Sequence, residues 1–287
     1  MSILSVKDLT YVYSQGTPFE HTAVDKLSFE IERGDFIGII GHTGSGKSTL
    51  VQMLNGLIKP TSGAVYLDNI NIWDKPKEIR KIRFKVGLVF QYPEYQLFEE
   101  TVEKDIAFGP TNIGLNEKEI KERVLQAAKF VDLNPELLAK SPFDLSGGEK
   151  RRAAIAGVIA MDPDILILDE PCAGLDPLGR DILLSQIYSY HKERGNTVLL
   201  VSHSMEDVGT VCDKVMVMNR SRLEMFDTAQ RVFSQGEHLQ KLGLRIPQIT
   251  SVIDELIDAG FPLKRGTLTV EQAVEDITEY LKREGRL

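Results

Sequence analysis

The stretch Gly41-His42-Thr43-Gly44-Ser45-Gly46-Lys47-Ser48 follows the apolar run Phe36 to Ile40 and leads into Leu50, Val51 and Leu54 at helical spacing. It matches G-x-x-x-x-G-K-[ST] in the order strand, loop, helix that this motif requires. Glycines let the backbone wrap tightly so that its N–H groups point inward, and the helix dipole favours negative charge at that spot. Lys47 is then placed to reach the outer phosphates of a bound nucleotide and Ser48 to ligate Mg²⁺, with Thr49 closing the phosphate-binding stretch. In a chain of 287 residues such a match arises by chance on the order of 1% of the time, so a glycine turn without a ligand is the weaker reading.

Working outward, Val86 to Phe90, Ile165 to Leu168 and Val198 to Val201 are further unbroken apolar runs. Such runs mark strands buried on both faces of a parallel sheet, and each is followed by polar or glycine-rich residues, where α/β sheets place their ligands. Ile120, Val124, Ala127, Ala128 and Val131 keep helical spacing inside 93–161, which is read as a helical insertion. A turn at Asn219 to Ser221 between Val215–Met218 and Leu223–Phe226 predicts a hairpin that closes the main domain. The predicted architecture is a main domain over 1–226 and a small helical domain over 227–287. In the latter, Thr269 and Gln272 make a capping-box pattern ahead of Val270, Ala273, Val274, Ile277 and Leu281. A second helix carries Val252, Ile253, Leu256 and Ile257 and is stopped by Gly260. Those apolar faces either pack on each other or form a dimerisation surface.

The run Ile165-Leu166-Ile167-Leu168 ends in Asp169-Glu170. Neighbours on a strand point to opposite sides, so the two acids have different tasks. Asp169 suits the Mg²⁺ shell beside Ser48, and Glu170 is the catalytic carboxylate that polarises an attacking water. In Leu145-Ser146-Gly147-Gly148-Glu149, Ser146 and Glu149 form a second capping box. Two glycines inside a cap are costly unless something approaches the backbone closely, which points to a second phosphate site at Ser146, Gly147 and Gly148.

That last stretch resembles the ABC signature LSGGQ. The resemblance implies a P-loop NTPase fold: a RecA-like core, an ABC helical subdomain at about 93–161 and an antiparallel β subdomain, here followed by the small C-terminal helical domain. It also implies that ATP is held between the phosphate loop of one copy and the signature of another, so that the chain acts as a dimer. Residue by residue it suggests Gln91 as the glutamine that touches Mg²⁺ and the water, and Asp176 as the aspartate at the dimer interface. His203 becomes the catalytic switch histidine and Tyr13, with Tyr11 as its rival, the aromatic that stacks on adenine. Gly16-Thr17-Pro18-Phe19-Glu20, Gly87 to Glu94, Gln96-Leu97-Phe98 and Asp105 to Pro110 are similar to the ATPases of energy-coupling factor (ECF) transporters, and the first of these stretches to the second ATPase of their pair. The expected partners are a second ATPase subunit, similar or identical, and an integral membrane coupling protein docked near Glu94–Val102. A substrate-binding membrane subunit would be linked only indirectly, and vitamins or metal ions are the implied cargo. Glu94, Tyr95, Phe98, Glu99 and Glu100 would suit a basic partner helix. Three positions depart from the pattern: Glu149 for glutamine, Cys172 for threonine and Ser221 for a turn glycine.

Composition narrows the rest. A net charge of −8 gives no basic surplus for a nucleic-acid backbone, so none is expected as partner. The start lacks a secretory signal and Ala153 to Met161 is too short to cross a bilayer, so the expected place is the cytoplasmic face of the membrane, held there by a partner. Cys172 and Cys212 have no metal spacing and are expected as free thiols. Alternative readings are the ATPase of an ordinary ABC importer with a separate binding protein and, less well supported, a soluble ABC ATPase of DNA repair or translation. The repair reading needs a long coiled-coil insertion, and the translation reading two cassettes in one chain; neither is present.

Overall fold

A computed structural model describes residues 2–284; Met1 and residues 285–287, the outer ends of the two expected domains, lie outside it. The elements in chain order begin with β1 (Ser2–Tyr13), β2 (His21–Glu32), β3 (Phe36–Ile40), α1 (Lys47–Leu54), β4 (Ser62–Leu67), β5 (Ile70–Asn71) and α2 (Ile79–Lys85). Then follow β6 (Val86–Val89), α3 (Val102–Ile113), α4 (Glu117–Phe130), α5 (Gly147–Ile159), β7 (Ile165–Asp169), α6 (Pro177–Arg194) and β8 (Thr197–Val201). The chain continues with α7 (Met205–Val211), β9 (Lys214–Asn219), β10 (Arg222–Thr228), α8 (Ala229–Phe233), α9 (Gly236–Lys241), α10 (Gln248–Asp258) and α11 (Val270–Arg283). These residues form two compact units, one of 2–35 with 48–201 and the other of 36–47 with 202–284.

In the first unit β6, β7 and β8 are parallel neighbours, with Val86 opposite Ile165 and Ile165 opposite Thr197. Every residue of the three strands is buried, as their unbroken apolar sequence requires. An antiparallel sheet in the order β2-β1-β4-β5 accompanies them. Asp68 and Asn69, both at positive φ, make the turn between β4 and β5, a conformation that short polar side chains tolerate. Residues 93–161 hold only helices and turns among the described residues. Here α3 packs on α4 and α5 through Val102, Ile106, Val124, Ala127, Ala128, Ile155 and Ala156, all buried. The helix ends are set locally: Thr101 caps α3, and Asn116 with Glu119 forms a full capping box on α4.

In the second unit β9 runs parallel to β3, Ile37 opposite Lys214, and β10 returns antiparallel to β9. The expected hairpin is present, and its turn shows why a glycine would be usual there: Arg220 and Ser221 both adopt positive φ, at 46° and 68°. An L-residue there costs about 1–2 kcal/mol against a right-handed conformation, yet the turn is kept. Beyond it α10 packs on α11, with Ile253 and Ala273 buried, while Val252, Val270 and Val274 stay about half exposed. The capping box expected at Thr269 is half formed. Its hydroxyl accepts from the Gln272 N–H, but the Gln272 side chain accepts from the N–H of Leu268, one residue before the cap.

β3 is packed without slack. A Cβ on Gly38 would lie 2.5 Å from Cγ1 of Val208 on α7 and 3.1 Å from Sγ of Cys212. We expect Gly38→Ala to lower the unfolding free energy by about 1–3 kcal/mol, read as an earlier denaturant midpoint at an unchanged slope; equal midpoints would show that α7 can withdraw.

Candidate functional site

Gly41 to Lys47, directly after β3, belong to the second unit. Gly41 has φ +151°, and a Cβ there would lie 2.2 Å from the Met218 carbonyl oxygen, so only glycine fits. Gly44 and Gly46 are also left-handed, and the Ser45 N–H bonds to the His42 carbonyl at 3.1 Å. The loop is thus curled on itself with glycines at the bends. Nζ of Lys47 is carried inward, donating to the carbonyls of Gly41 (2.6 Å) and His42 (3.0 Å). Oγ of Ser45 is buried without a hydrogen-bond partner, and a buried hydroxyl left so costs free energy unless a ligand completes it. Gly44 borders open space. A buried ammonium and an orphaned hydroxyl on a glycine-bent loop make a donor set that fits a phosphate chain. His42, whose Nε2 meets the Leu242 carbonyl at 2.7 Å, and Thr43 are exposed on the loop. The exposed His203 follows Ser202, whose N–H bonds to the Ile39 carbonyl at 3.3 Å and anchors that segment two residues before Gly41.

Ser48, exposed at the start of α1, and the residues beyond β6 and β7 belong to the first unit. Because Val89 pairs with Leu168, Gln91 and Glu170 leave the sheet at the same edge, each two residues further on. Asp169, the last residue of β7, is buried opposite Val201, whereas Glu170 is half-buried and turned out at φ +52°, with its N–H bonded to the Val201 carbonyl at 3.0 Å. The two acids therefore differ in burial and in backbone conformation. Ser48, Gln91 and Asp169 offer oxygens of the kind Mg²⁺ prefers. Tyr13 is hydrogen-bonded to Oγ1 of Thr49 at 3.3 Å and packs edge-on against Tyr11 at 4.7 Å. Of the two it is the more exposed, which favours it for stacking.

Ser146, Gly147 and Gly148 stand at the head of α5 among the helices of 93–161. The capping box is complete: Ser146 Oγ accepts from Glu149 N–H, while a Glu149 carboxylate oxygen accepts from Ser146 N–H at 2.8 Å and Ser146 Oγ–H at 2.7 Å. These Ser146 bonds lower the Glu149 carboxyl below its ordinary value. A glutamine oxygen could accept the same bonds, so the departure from the signature leaves the cap intact. Nothing lies within 4 Å of a Cβ built on Gly147, so packing inside the chain does not demand glycine there. Asp176 has a role the sequence reading did not assign: its Oδ1 caps α6 by accepting from the Gly179 N–H at 2.8 Å.

Between Phe84 of α2, the 96–98 segment, Phe108 of α3 and Met161 lies an open groove of about 510 Å³. Phe98 and Phe108 meet edge-to-face at 5.0 Å and remain half exposed, and Tyr95 is largely exposed. The expected acidic character is partly spent, since Glu94 is paired with Arg151 and Glu100 with Lys104. What the groove offers is aromatic surface with Arg80 and Arg83 at its rim. Asp105 beneath it is buried, accepts from the N–H groups of Phe98 and Glu99, and has its carboxyl raised by that burial. Cys172 and Cys212 are unbridged, and burial pushes the Cys212 thiol up. The Glu94–Arg151 pair and the Tyr13–Thr49 bond are the features the sequence reading missed, because each joins residues with no local signal.

The ABC transporter family model matches residues 24–173. The protein is 53% identical over 279 residues to the energy-coupling factor transporter ATP-binding protein EcfA2 of Caldanaerobacter subterraneus subsp. tengcongensis, covering 97% of this chain and 98% of that one. To the protein of the same name in Clostridioides difficile it is 50% identical, covering 99% of both. Among solved structures, cbiO1 of Clostridium perfringens, part of the ABC transporter complex cbiONQ, aligns with a TM-score of 0.75 at 40% identity over 88% of this chain and 99% of that one. The dimeric post-hydrolysis ATP-binding cassette MJ0796, bound to ADP and Pi, aligns with a TM-score of 0.70 at 29% identity over 78% and 98%.

Burial alone would raise the Glu94 carboxyl, but the hydrogen bonds it accepts and the charge of Arg151 outweigh that and hold it below its ordinary value near 4.5. A carboxyl lowered on folding contributes stability that is present above the unfolded value and lost as pH falls through the folded one. The stability gap between the natural protein and Glu94→Gln should therefore hold at neutral pH and shrink below about pH 4.5. A gap unchanged through pH 3, measured by urea melts, would count against the ionised pair.

Proposed function

The chain belongs to the ABC transporter family, and within it to the ATP-binding proteins of energy-coupling factor transporters; from that premise we propose how its residues divide the work. It is an ATP-hydrolysing subunit that works as a dimer with membrane components. The residue roles, the docking segment, the cargo and the domain division are our reading. The observation that carries it is the glycine-bent loop in which buried Lys47 and the buried, unpartnered Ser45 hydroxyl supply donors for the phosphates of ATP. Ser48, Gln91 and Asp169 would hold Mg²⁺, which when bound neutralises charge on the transferred phosphoryl group.

In this reading Gly41 to Thr49 bind the phosphates, and Tyr13, steadied by Thr49, stacks on adenine. Ser146, Gly147 and Gly148 of the second subunit cover the same nucleotide, which is why Gly147 is free of crowding within its own chain. Glu170, turned away from Asp169, orients and polarises the attacking water, and His203 contacts the outer phosphate. Asp176, while capping α6, lies at the dimer interface. Holding water and phosphate in line is most of what hydrolysis needs from a protein.

The membrane coupling protein docks along Glu94–Val102, where the aromatic groove fits an apolar ridge on a partner helix better than a purely basic one. Residues 1–226 act as the ATP-binding domain, and 227–287 as a dimerisation domain through the exposed Val252, Val270 and Val274. The cargo is a vitamin or a metal ion chosen by other subunits, and the chain sits on the cytoplasmic face of the membrane. No helix among the described residues is long and apolar enough to cross it, so a partner supplies the link.

Glu170→Gln keeps the size of the side chain and removes its basicity. Steady-state ATP turnover should fall by roughly 10²–10⁴-fold, with an ATP-filled dimer accumulating on size exclusion. Retained turnover would sink the assignment of Glu170.

A further inference from the structure

One side chain ties together three segments that lie far apart in sequence. Arg151, on the first turns of α5, is 5% exposed. Its Nε and Nη2 donate to the two carboxylate oxygens of Glu94 at 3.1 and 2.7 Å, and Nη1 donates to the carbonyls of Pro171 at 3.2 Å and Ala173 at 2.6 Å. Four donor bonds in one plane are what a guanidinium supplies and an ammonium does not.

The two carbonyls belong to the turn that leaves β7. The Ala173 N–H bonds to the Glu170 carbonyl at 3.2 Å, so the turn Arg151 grips closes on Glu170 itself. Glu170 is held at φ +52°, and on the other side of Arg151 the residue two before Glu94, Tyr92, is held at φ +55°. Non-glycine residues in this region persist only where their surroundings over-determine them. Arg151 is the group that both turns share. A buried ion pair adds little to stability compared with apolar packing of the same volume, so its better-attested use is to fix register.

We propose that Arg151, oriented by Glu94, is a positioning residue for hydrolysis: it fixes the turn after β7 so that the Glu170 carboxylate faces the attacking water. The inference rests on the reading of Glu170 given above. Glu94 orients the fork, the fork holds Pro171 and Ala173, and those carbonyls set the direction of the carboxylate. Neither Glu94 nor Arg151 touches the nucleotide in this account, so the loss should fall on turnover and not on binding.

The test is steady-state ATP hydrolysis with Mg²⁺ by the full chain and its variants Glu94→Gln, Arg151→Lys, the double variant and Glu170→Gln, beside equilibrium ATP binding and thermal melts. Each of the first two should lower kcat about tenfold or more and leave KM and ATP affinity within about twofold, the pattern of lost transition-state positioning. The double variant should be no slower than the slower single, because both act through one link. If Arg151→Lys fails to fold, Glu94→Gln decides alone, since it keeps the side-chain shape and the carbonyl bonds. Unchanged kcat in Glu94→Gln, a raised KM at full kcat, or singles that multiply in the double would each overturn the proposal, provided Glu170→Gln is inactive. Turnover surviving in Glu170→Gln would instead overturn the reading of the base.

Discussion

Five consecutive buried positions in β7 leave its acids little choice of place. Ile165 to Leu168 are almost fully buried, and a carboxylate inside such a strand would bear a desolvation cost of several kcal/mol. The charges must emerge at the carboxyl end, and the parallel pairing with β6 and β8 fixes what emerges beside them. Val89 and Val201 stand level with Leu168 and Asp169, so Gln91 exits at the same edge and Glu170 bonds to Val201 as it turns out of the sheet. The edge at which Gln91 and Glu170 leave the sheet is thus a consequence of register. A slip of one residue would send Asp169 where Glu170 now points.

Much of this was legible in the sequence because it depends on local pattern. Unbroken apolar runs separate buried parallel strands from amphipathic ones, and the phosphate loop declares itself because only glycine fits where Gly41 meets Met218. The capping box at Ser146 is equally local. The exceptions share one cause. Asp176 as a helix cap, the bond from the Gln272 side chain to Leu268 and the pairing of Glu94 with Arg151 were missed or misdrawn, since one side chain can serve several partners and only the folded chain selects among them. The segment proposed for docking shows the same limit: its composition reads as acidic, whereas pairing with Arg151 and Lys104 leaves an aromatic surface.

The departures from the family pattern become intelligible at the level of bonds. Glu149 keeps every cap bond a glutamine would make, and its charge at a helix N-terminus is favourable. Ser221 takes the left-handed turn at a cost and stays buried. Cys172 lies between Pro171 and Ala173, whose carbonyls Arg151 holds, so the backbone of this turn is fixed from outside and places little demand on the side chain in its middle.

That external hold bears on how such a subunit can be both stable and responsive. Glu170 and Tyr92 sit in conformations that an unconstrained chain would leave, and both lie next to the residues the guanidinium binds. Four donor bonds shared between two segments hold both turns at once, and losing any one of them would leave a buried carboxylate oxygen or carbonyl unpaired. On that argument the ion pair is kept for the turn it controls.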